Sequence, residues 1–467
     1  MSSKKKQMGA AFLFLAVTVT AILCPTPGPL ARTHLSLLQK SIGDFNLRRF
    51  NESLADGSYD GAAGILLMKP EVARSFGLKA QINENYREGR AMKTTADHLF
   101  SQAVSELKSR GKERIAGEHA AQAGKWALAS KDARSAARNH FAAYRSQLTP
   151  KTDDRLNETI CSALLERLLA SCLKRASFNL REALGMFFNE CQGLPKDTPP
   201  LTPDNVKFVN FVFSEFQKKA SDQDKKRFDL GKQTTSPKIL DGPSWKTAVK
   251  GRGPRFIHLV ETCLENHQKP VYPVDPLLFI ALIRRESNFD PMAVSYVGAA
   301  GLTQIMPKTG KGLGMKQIYM PSYFEEATSL LKRERQLRRK AVALISNPAP
   351  QTIEKDARRA RGLMQASLSL SEKRSALFSR YRKELLQGKH DDRLDPSKAI
   401  AHGYAYFSKL MRMQKGDITL ALAAYNAGPH RVKQYNGLPP YAETVTFRNT
   451  VVKYYREYLD RLNGLQE

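Results

Sequence analysis

The sequence predicts a mainly α-helical protein, and three patterns carry that prediction. Amphipathic spacing recurs at roughly 93–109, 115–147, 156–173, 178–191 and 203–221, within a region that reads as helical from about residue 34 to 230. The stretch PVDPLLFIALIRRESNFDP sets Asp275 as a capping side chain ahead of Pro276 at the first helical position; this helix runs to about Ser287, and Asn288 to Pro291 end it. In residues 315–393, the charged runs KRERQLRRK and EKDARRARG read as helical with Asn347-Pro348 and Pro350 between them, which suggests a helical hairpin or a mobile basic arm.

The chain has 467 residues, 42% of them hydrophobic, so two domains with cores of their own are expected. Residues 34–230 form an all-helical first domain whose role the residues do not reveal. No fixed repeat stands out in it, so a regular solenoid is not supported. GKQTTSPKILDGPSWKTAVKGRGP has the glycines, prolines and charges of a linker, placed at 231–254. Residues 255–467 make the second domain, interrupted by the insertion at 315–393.

Ahead of these, three lysines and an apolar run from Met8 to Cys24 are followed by PTPGP, which cannot continue a helix. This is the layout of a secretory signal, so residues 1–31 are read as a signal peptide or an N-terminal anchor. The run falls just short of the usual spanning length of about 20 residues. A lipid-modified Cys24 is a third option that the bulky Leu23 fits poorly. The formal net charge of +29 would ordinarily suggest nucleic acid. Export argues against that partner and favours anionic envelope polymers or a membrane surface in the periplasm or cell envelope, alongside the plain reading of a solvated basic surface.

Four further cysteines remain. Cys161 and Cys172 share one helical stripe, about 16 Å apart along the axis, too far to bridge each other. Either they pair with Cys191 and Cys263, or all four are reduced core residues. No cysteine or histidine set has metal-ligand spacing, so no metal or other cofactor is expected.

The chemistry-bearing feature is Glu286. Phe279, Leu282, Ile283 and Glu286 fall on one helical stripe, with Arg284 and Arg285 off it. A carboxyl group partly out of water has its charged form disfavoured, and the negative end of the helix dipole pushes the same way. A raised pKa is what a general acid near neutral pH requires. Alone, the helix equally allows a glutamate reaching solvent from a frayed end. Downstream, GAAGLTQIMP offers tight turns and the amide of Gln304, and ALAAYNAGPHRV places Tyr425 and Asn426 in the last turn of a helix stopped by Gly428-Pro429. Neutral amides, hydroxyls and aromatic faces around one acid suit sugar recognition.

In order, E-S-x-F-x-P, G-A-x-G-L-x-Q-x-M-P, A-x-A-A-Y-N-A-G-P and E-T-x-x-F closely resemble the catalytic domain of the soluble lytic transglycosylases, a fold similar to goose-type lysozyme. The resemblance covers roughly residues 255–314 and 394–462. It implies a lysozyme-like helical domain that cleaves the β-1,4 bond between N-acetylmuramic acid and N-acetylglucosamine in peptidoglycan. It implies Glu286 as the single catalytic acid and base, and Ser287 as its supporting neighbour. Gln304, Tyr425 and Asn426 become cleft residues, and Glu443 either orients the site or caps a helix. Thr303 departs from the family's usual Met and Phe447 from its common Tyr; the insertion falls where the family has a shorter connection, leaving open whether it borders, occludes or avoids the glycan groove.

Ordinary glycosidases use two carboxylates; these motifs supply one. The family's chemistry resolves this: Glu286 protonates the glycosidic oxygen, the substrate's N-acetyl group stabilises the anomeric carbon, and Glu286 then activates the C6 hydroxyl of the same muramyl residue, giving a 1,6-anhydro end. The rivals are hydrolysis of the same bond and a non-catalytic peptidoglycan-binding scaffold.

Overall fold

The computed structural model describes residues 29–111, 113–177, 179–222, 243–266, 271–388 and 390–464. Among them no strand forms, and the extended pairings are the isolated bridges Ala63–Met68, Val294–Ala300 and Ala300–Ile305. The first half holds α1 (Pro29–Asp56), α2 (Pro70–Ser75), α3 (Glu84–Lys108), α4 (Glu113–Ser146), α5 (Glu158–Arg175), α6 (Leu180–Cys191) and α7 (Val206–Lys219). The second holds α8 (Ile257–Asn266), α9 (Pro276–Ser287), α10 (Pro307–Gly312), α11 (Ser322–Ser346), α12 (Ile353–Leu386), α13 (Pro396–Met413), α14 (Ile418–Ala427), α15 (Pro429–Gln434) and α16 (Ala442–Asn463). The signal or anchor segment lies almost wholly outside the described residues. Among those described, no helix is long and apolar enough to cross a membrane.

The two halves follow one plan. SYDGAAG at 58–64 returns as SYVGAAG at 295–301, and the D-D-R-L of Asp153–Leu156 returns at Asp391–Leu394. In the first half Arg155 donates to the carbonyls of Gly61 and Met68, both at 2.9 Å, to the Asp153 carboxylate at 2.8 and 2.7 Å, and to the Tyr144 hydroxyl. In the second, Arg393 donates to Gly298 at 3.1 Å, Ile305 at 3.2 Å, the Asp391 carboxylate at 2.9 and 2.7 Å, and the Tyr381 hydroxyl at 2.6 Å. Leu67 and Gln304 hold the same place in the two loops, with φ of 48° and 46°. A Cβ on Gly64 would lie 1.8 Å from the Arg155 carbonyl oxygen, and one on Gly301 1.6 Å from that of Arg393. Only glycine fits either close approach. After each loop come a short helix, a long hairpin, the D-D-R-L turn, two capped helices and a closing helix. Asn157 and Asn179 cap α5 and α6 as Asp395 and Asp417 cap α13 and α14. The repeat unit is a whole domain, which is why no short period is visible.

One apolar core runs through both halves. Across their junction Glu182 accepts from Arg448 at 2.8 Å and Arg456 at 2.6 Å, and Arg181 pairs with Asp417 at 2.9 Å. The insertion at 315–393 is a packed hairpin, not a mobile arm. Its outer part, Ala341, Ile345 and Met364, shares a core with Ala103, Leu107 and Ala123 of the α3–α4 hairpin. Its base, Phe324, Phe378 and Tyr381, packs beneath Ala300 of the second GAAG loop.

Three expectations need correction. Residues 231–242 of the predicted linker lie outside the described residues, but 243–254 are packed: Trp245, Ala248 and Val249 are buried, because an indole and two aliphatics give this polar stretch an anchor. Helix α9 is not amphipathic in its surroundings. Every residue from Pro276 to Ile283 is buried, since α8, α13 and α16 pack around it, and only its last turn reaches the surface. Helix α1 was not among the amphipathic stretches, because its apolar residues are not gathered on one stripe. The four cysteines Cys161, Cys172, Cys191 and Cys263 are buried and form no disulfide, and burial raises each thiol's pKa, so the reduced-core reading is the one observed.

Candidate active site

Helix α9 brings Glu286 to the surface from the middle of the core. Asp275 starts it, accepting the backbone N–H of Leu277 at 2.8 Å and the Tyr455 hydroxyl at 2.5 Å from α16. Arg284 lies 3.8 Å from the Tyr454 ring centroid and pairs with Glu457 at 2.9 Å, while Arg285 sits 5.6 Å from the Phe447 ring. Both arginines therefore pin the last turn against α16. The helix stops abruptly at Asn288 and Phe289, two consecutive non-glycine residues at φ 50° and 63°. Such backbone is strained; burial of Phe289, stacked on Phe256 with centroids 6.4 Å apart, holds it there.

Glu286 is half-buried in this last turn. Desolvation pushes its carboxyl up to about 8; the Arg285 charge opposes the shift and the Glu443 charge adds to it. Withdrawal from water, anticipated from the apolar stripe, is thus the main cause. Asp290, the nearest acid in sequence, is exposed and spends its carboxylate on the Met292 N–H at 2.9 Å, capping the loop. Glu443 stands exposed in the first turn of α16, where the helix dipole favours a carboxylate. Its charge reaches Glu286.

Tyr425 reaches the site from α14. Its hydroxyl donates to the Thr303 carbonyl at 2.7 Å, its ring packs 5.4 Å from Tyr406 and 6.0 Å from Phe407, and the Glu286 charge helps raise its pKa. Asn426 beside it accepts the Thr444 hydroxyl proton at 2.7 Å through Oδ1, which leaves the amide N–H groups as its outward donors. Thr303 is fully buried and donates to the Ala399 carbonyl at 2.9 Å. The departure from Met at this position thus exchanges an apolar contact for a loop-to-α13 hydrogen bond.

Two expected contacts take another form. Gln304 spends its amide nitrogen on the Ala293 and Gly301 carbonyls, at 3.0 and 2.9 Å, so it tightens its own loop and offers a ligand only its carbonyl oxygen. Ser287 is buried and its hydroxyl donates back to the Ile283 carbonyl at 3.2 Å, closing the strained helix end instead of reaching Glu286. What the motifs did not announce is the Arg393 clamp that fixes the GAAG loop beside Glu286. Its one signal was the recurrence of D-D-R-L.

Residues 264–332 and 325–444 match the transglycosylase SLT domain. A transglycosylase of Enterobacteria phage PRD1 is 40% identical over 63 residues, which is 14% of this chain and 24% of that protein's length. The 70 kDa soluble lytic transglycosylase of Escherichia coli is 16% identical, with 93% of this chain and 72% of that chain covered at a TM-score of 0.26. An inactive mutant of the lytic transglycosylase Slt from Pseudomonas aeruginosa is 15% identical, with 92% and 73% covered at 0.25. It is the domain match, over the stretch that holds Glu286, the GAAG loop and α14, that gives this chain a transglycosylase SLT domain in its C-terminal half.

Proposed function

We propose that the chain is a peptidoglycan lytic transglycosylase that works outside the cytoplasm, cutting the β-1,4 MurNAc–GlcNAc bond to leave 1,6-anhydro ends. The observation that carries this reading is a single partly buried acid, Glu286, holding its proton up to about pH 8 beside Tyr425, Asn426 and a clamped loop. A protonated carboxyl at neutral pH donates to the glycosidic oxygen, and once ionised it accepts the proton of the attacking hydroxyl. Asp290 is tied to its loop, so the opposite sugar face is left to the substrate's own N-acetyl group. Asn426 offers amide donors and Gln304 one acceptor for orienting that group. Withdrawal from water, with the Glu443 charge adding to it, keeps Glu286 protonated before substrate arrives.

Hydrolysis is the second reading, and the exposed Glu443 is what favours it: a second carboxylate within electrostatic range of Glu286 is able to hold a water. Mass spectrometry of digested sacculi separates the two. Ends lighter by one water than reducing ends support transglycosylation, whereas reducing ends support hydrolysis. Loss of both products in Glu286→Gln is expected, and retention of either removes Glu286 from the chemistry.

A further inference from the structure

The repeated plan gives the first half a cleft of its own, in the place that Glu286 occupies in the second. The residue there is Arg49 of α1. It lines a cavity of about 150 Å³ with Leu67, the counterpart of Gln304. Its guanidinium lies 5.1 Å from the ring of Phe188, which stands in α6 where Asn426 stands in α14. Burial lowers its pKa against the charges of Asp60 in the loop and of Asp204 just ahead of α7. The acid is therefore replaced by a cation that neither donates nor accepts a catalytic proton. This half cannot run the chemistry proposed for the other.

The cleft is nevertheless not filled in. Arg49 Nη1 and the hydroxyl of Tyr59 are both buried and without a hydrogen-bond partner, and both residues line the cavity. Tyr59 is the tyrosine of SYDGAAG and is only 8% exposed. Buried donors of this kind are costly unless something accepts from them. Glu52, Asp56 and Gln192 line the same cavity with acceptors, and Phe188 lies beneath the guanidinium. Donors, acceptors and the Tyr59 ring in one small cavity match a polyhydroxylated, N-acetylated sugar better than a simple anion, which the carboxylates would repel.

We infer that the first half is a catalytically silent copy of the SLT fold whose cleft, built around Arg49 and Tyr59, holds a peptidoglycan glycan strand without cutting it. This rests on the glycan reading of the second cleft. Two sites on one polymer raise its residence on the chain without any new contact at the cutting site.

The test uses the full chain in a Glu286→Gln background, so that sacculi stay intact, and measures co-sedimentation with insoluble peptidoglycan. Tyr59→Phe removes a hydroxyl that bonds nothing in the protein, so folding should be untouched. It should weaken binding about fivefold, and Arg49→Ala more. With Glu286 present, both variants should cleave short soluble glycans at the parent rate. Unchanged binding by both variants overturns the inference, as does a parent that does not sediment at all. If the variants lose binding but the Glu286 chain releases no product, the enzymatic reading falls and the silent site stands. If the chain cleaves while the variants bind like the parent, the reverse holds.

Discussion

Two loops of almost the same sequence, SYDGAAG and SYVGAAG, are clamped by the same arginine, the same aspartate pair and a tyrosine from the same hairpin position, yet one half carries Glu286 in the last turn of α9 and the other carries Arg49 in α1. The clamp is therefore a property of the fold, while the proposed chemistry depends on a single side chain set on top of it. What most sharply tests this division is the acid itself. Glu286→Gln should lower turnover of peptidoglycan by about 10²–10⁴-fold with the fold intact, as measured by released muropeptides. Arg49→Gln should leave turnover of short glycans unchanged. Equal losses from the two substitutions would dissolve the distinction between the halves.

The clamps allow a matched pair of experiments. Arg155 and Arg393 are each buried with a bidentate aspartate, so Arg155→Ala and Arg393→Ala both strand a carboxylate in the core. Each should cost about 3–5 kcal/mol in urea unfolding. Their effects on activity should differ. Arg393 holds the Gly298 and Ile305 carbonyls of the loop beside Glu286, so the folded fraction of Arg393→Ala should turn over slowly. Folded Arg155→Ala should keep the parent rate on soluble substrate. If it does not, the halves communicate through the α3–α4 and α11–α12 hairpins, which share a core.

How much of this was legible beforehand follows physical lines. The capped start of α9 at Asp275-Pro276 is local, so the residues announced it. Glu286 was visible because a carboxylate closing an apolar stripe breaks the pattern around it. The hairpin at 315–393 was legible as helices but not as a buttress, because Phe324 and Tyr381 meet Ala300 only in three dimensions. Gln304 was read as a ligand contact because its amide is polar; the positive φ that turns that amide onto its own loop is invisible in a residue type. The silent copy was hidden for a different reason. Its identity with the second half survives at the clamp, where Gly64, Asp153 and Arg155 have no substitutes, and is lost on the helix faces, where any apolar residue of similar volume serves.

Helices α9 and α1 should also respond differently to pH. Glu286 has its pKa raised from 4.5 to about 8. At pH 4 folded and unfolded chains both hold the proton, so wild type and Glu286→Gln should melt together. Between about pH 4.5 and 8 the unfolded chain ionises while the folded one does not; the unfolded state then binds fewer protons and stability falls with rising pH. Glu286→Gln should be the more stable of the two by about 1–3 kcal/mol at pH 8, read from thermal or urea melts. Arg49, whose pKa is lowered by burial, stays charged over this range, so Arg49→Gln should shift stability without a pH slope. Parallel melts at pH 4 and pH 8 for Glu286→Gln would mean that Glu286 is ionised in the folded protein.

The smallest effect expected is at Tyr425. The position it holds in α14 is held in α6 by Phe187, which lacks the hydroxyl, so Tyr425→Phe converts one half into the other at a single atom. The lost bond is the 2.7 Å donation to the Thr303 carbonyl, and the ring contacts with Tyr406 and Phe407 survive. A net cost of about 1 kcal/mol is expected, with a loss of turnover of about tenfold or less as the loop bearing Gln304 loosens. The alkaline limb of the pH–rate profile should also move, because the Tyr425 hydroxyl lies within the field of Glu286. A loss as large as that of Glu286→Gln would make the hydroxyl a participant in the reaction. No loss at all would make α14 a scaffold on both sides of the molecule, with the acid as the sole difference between the halves.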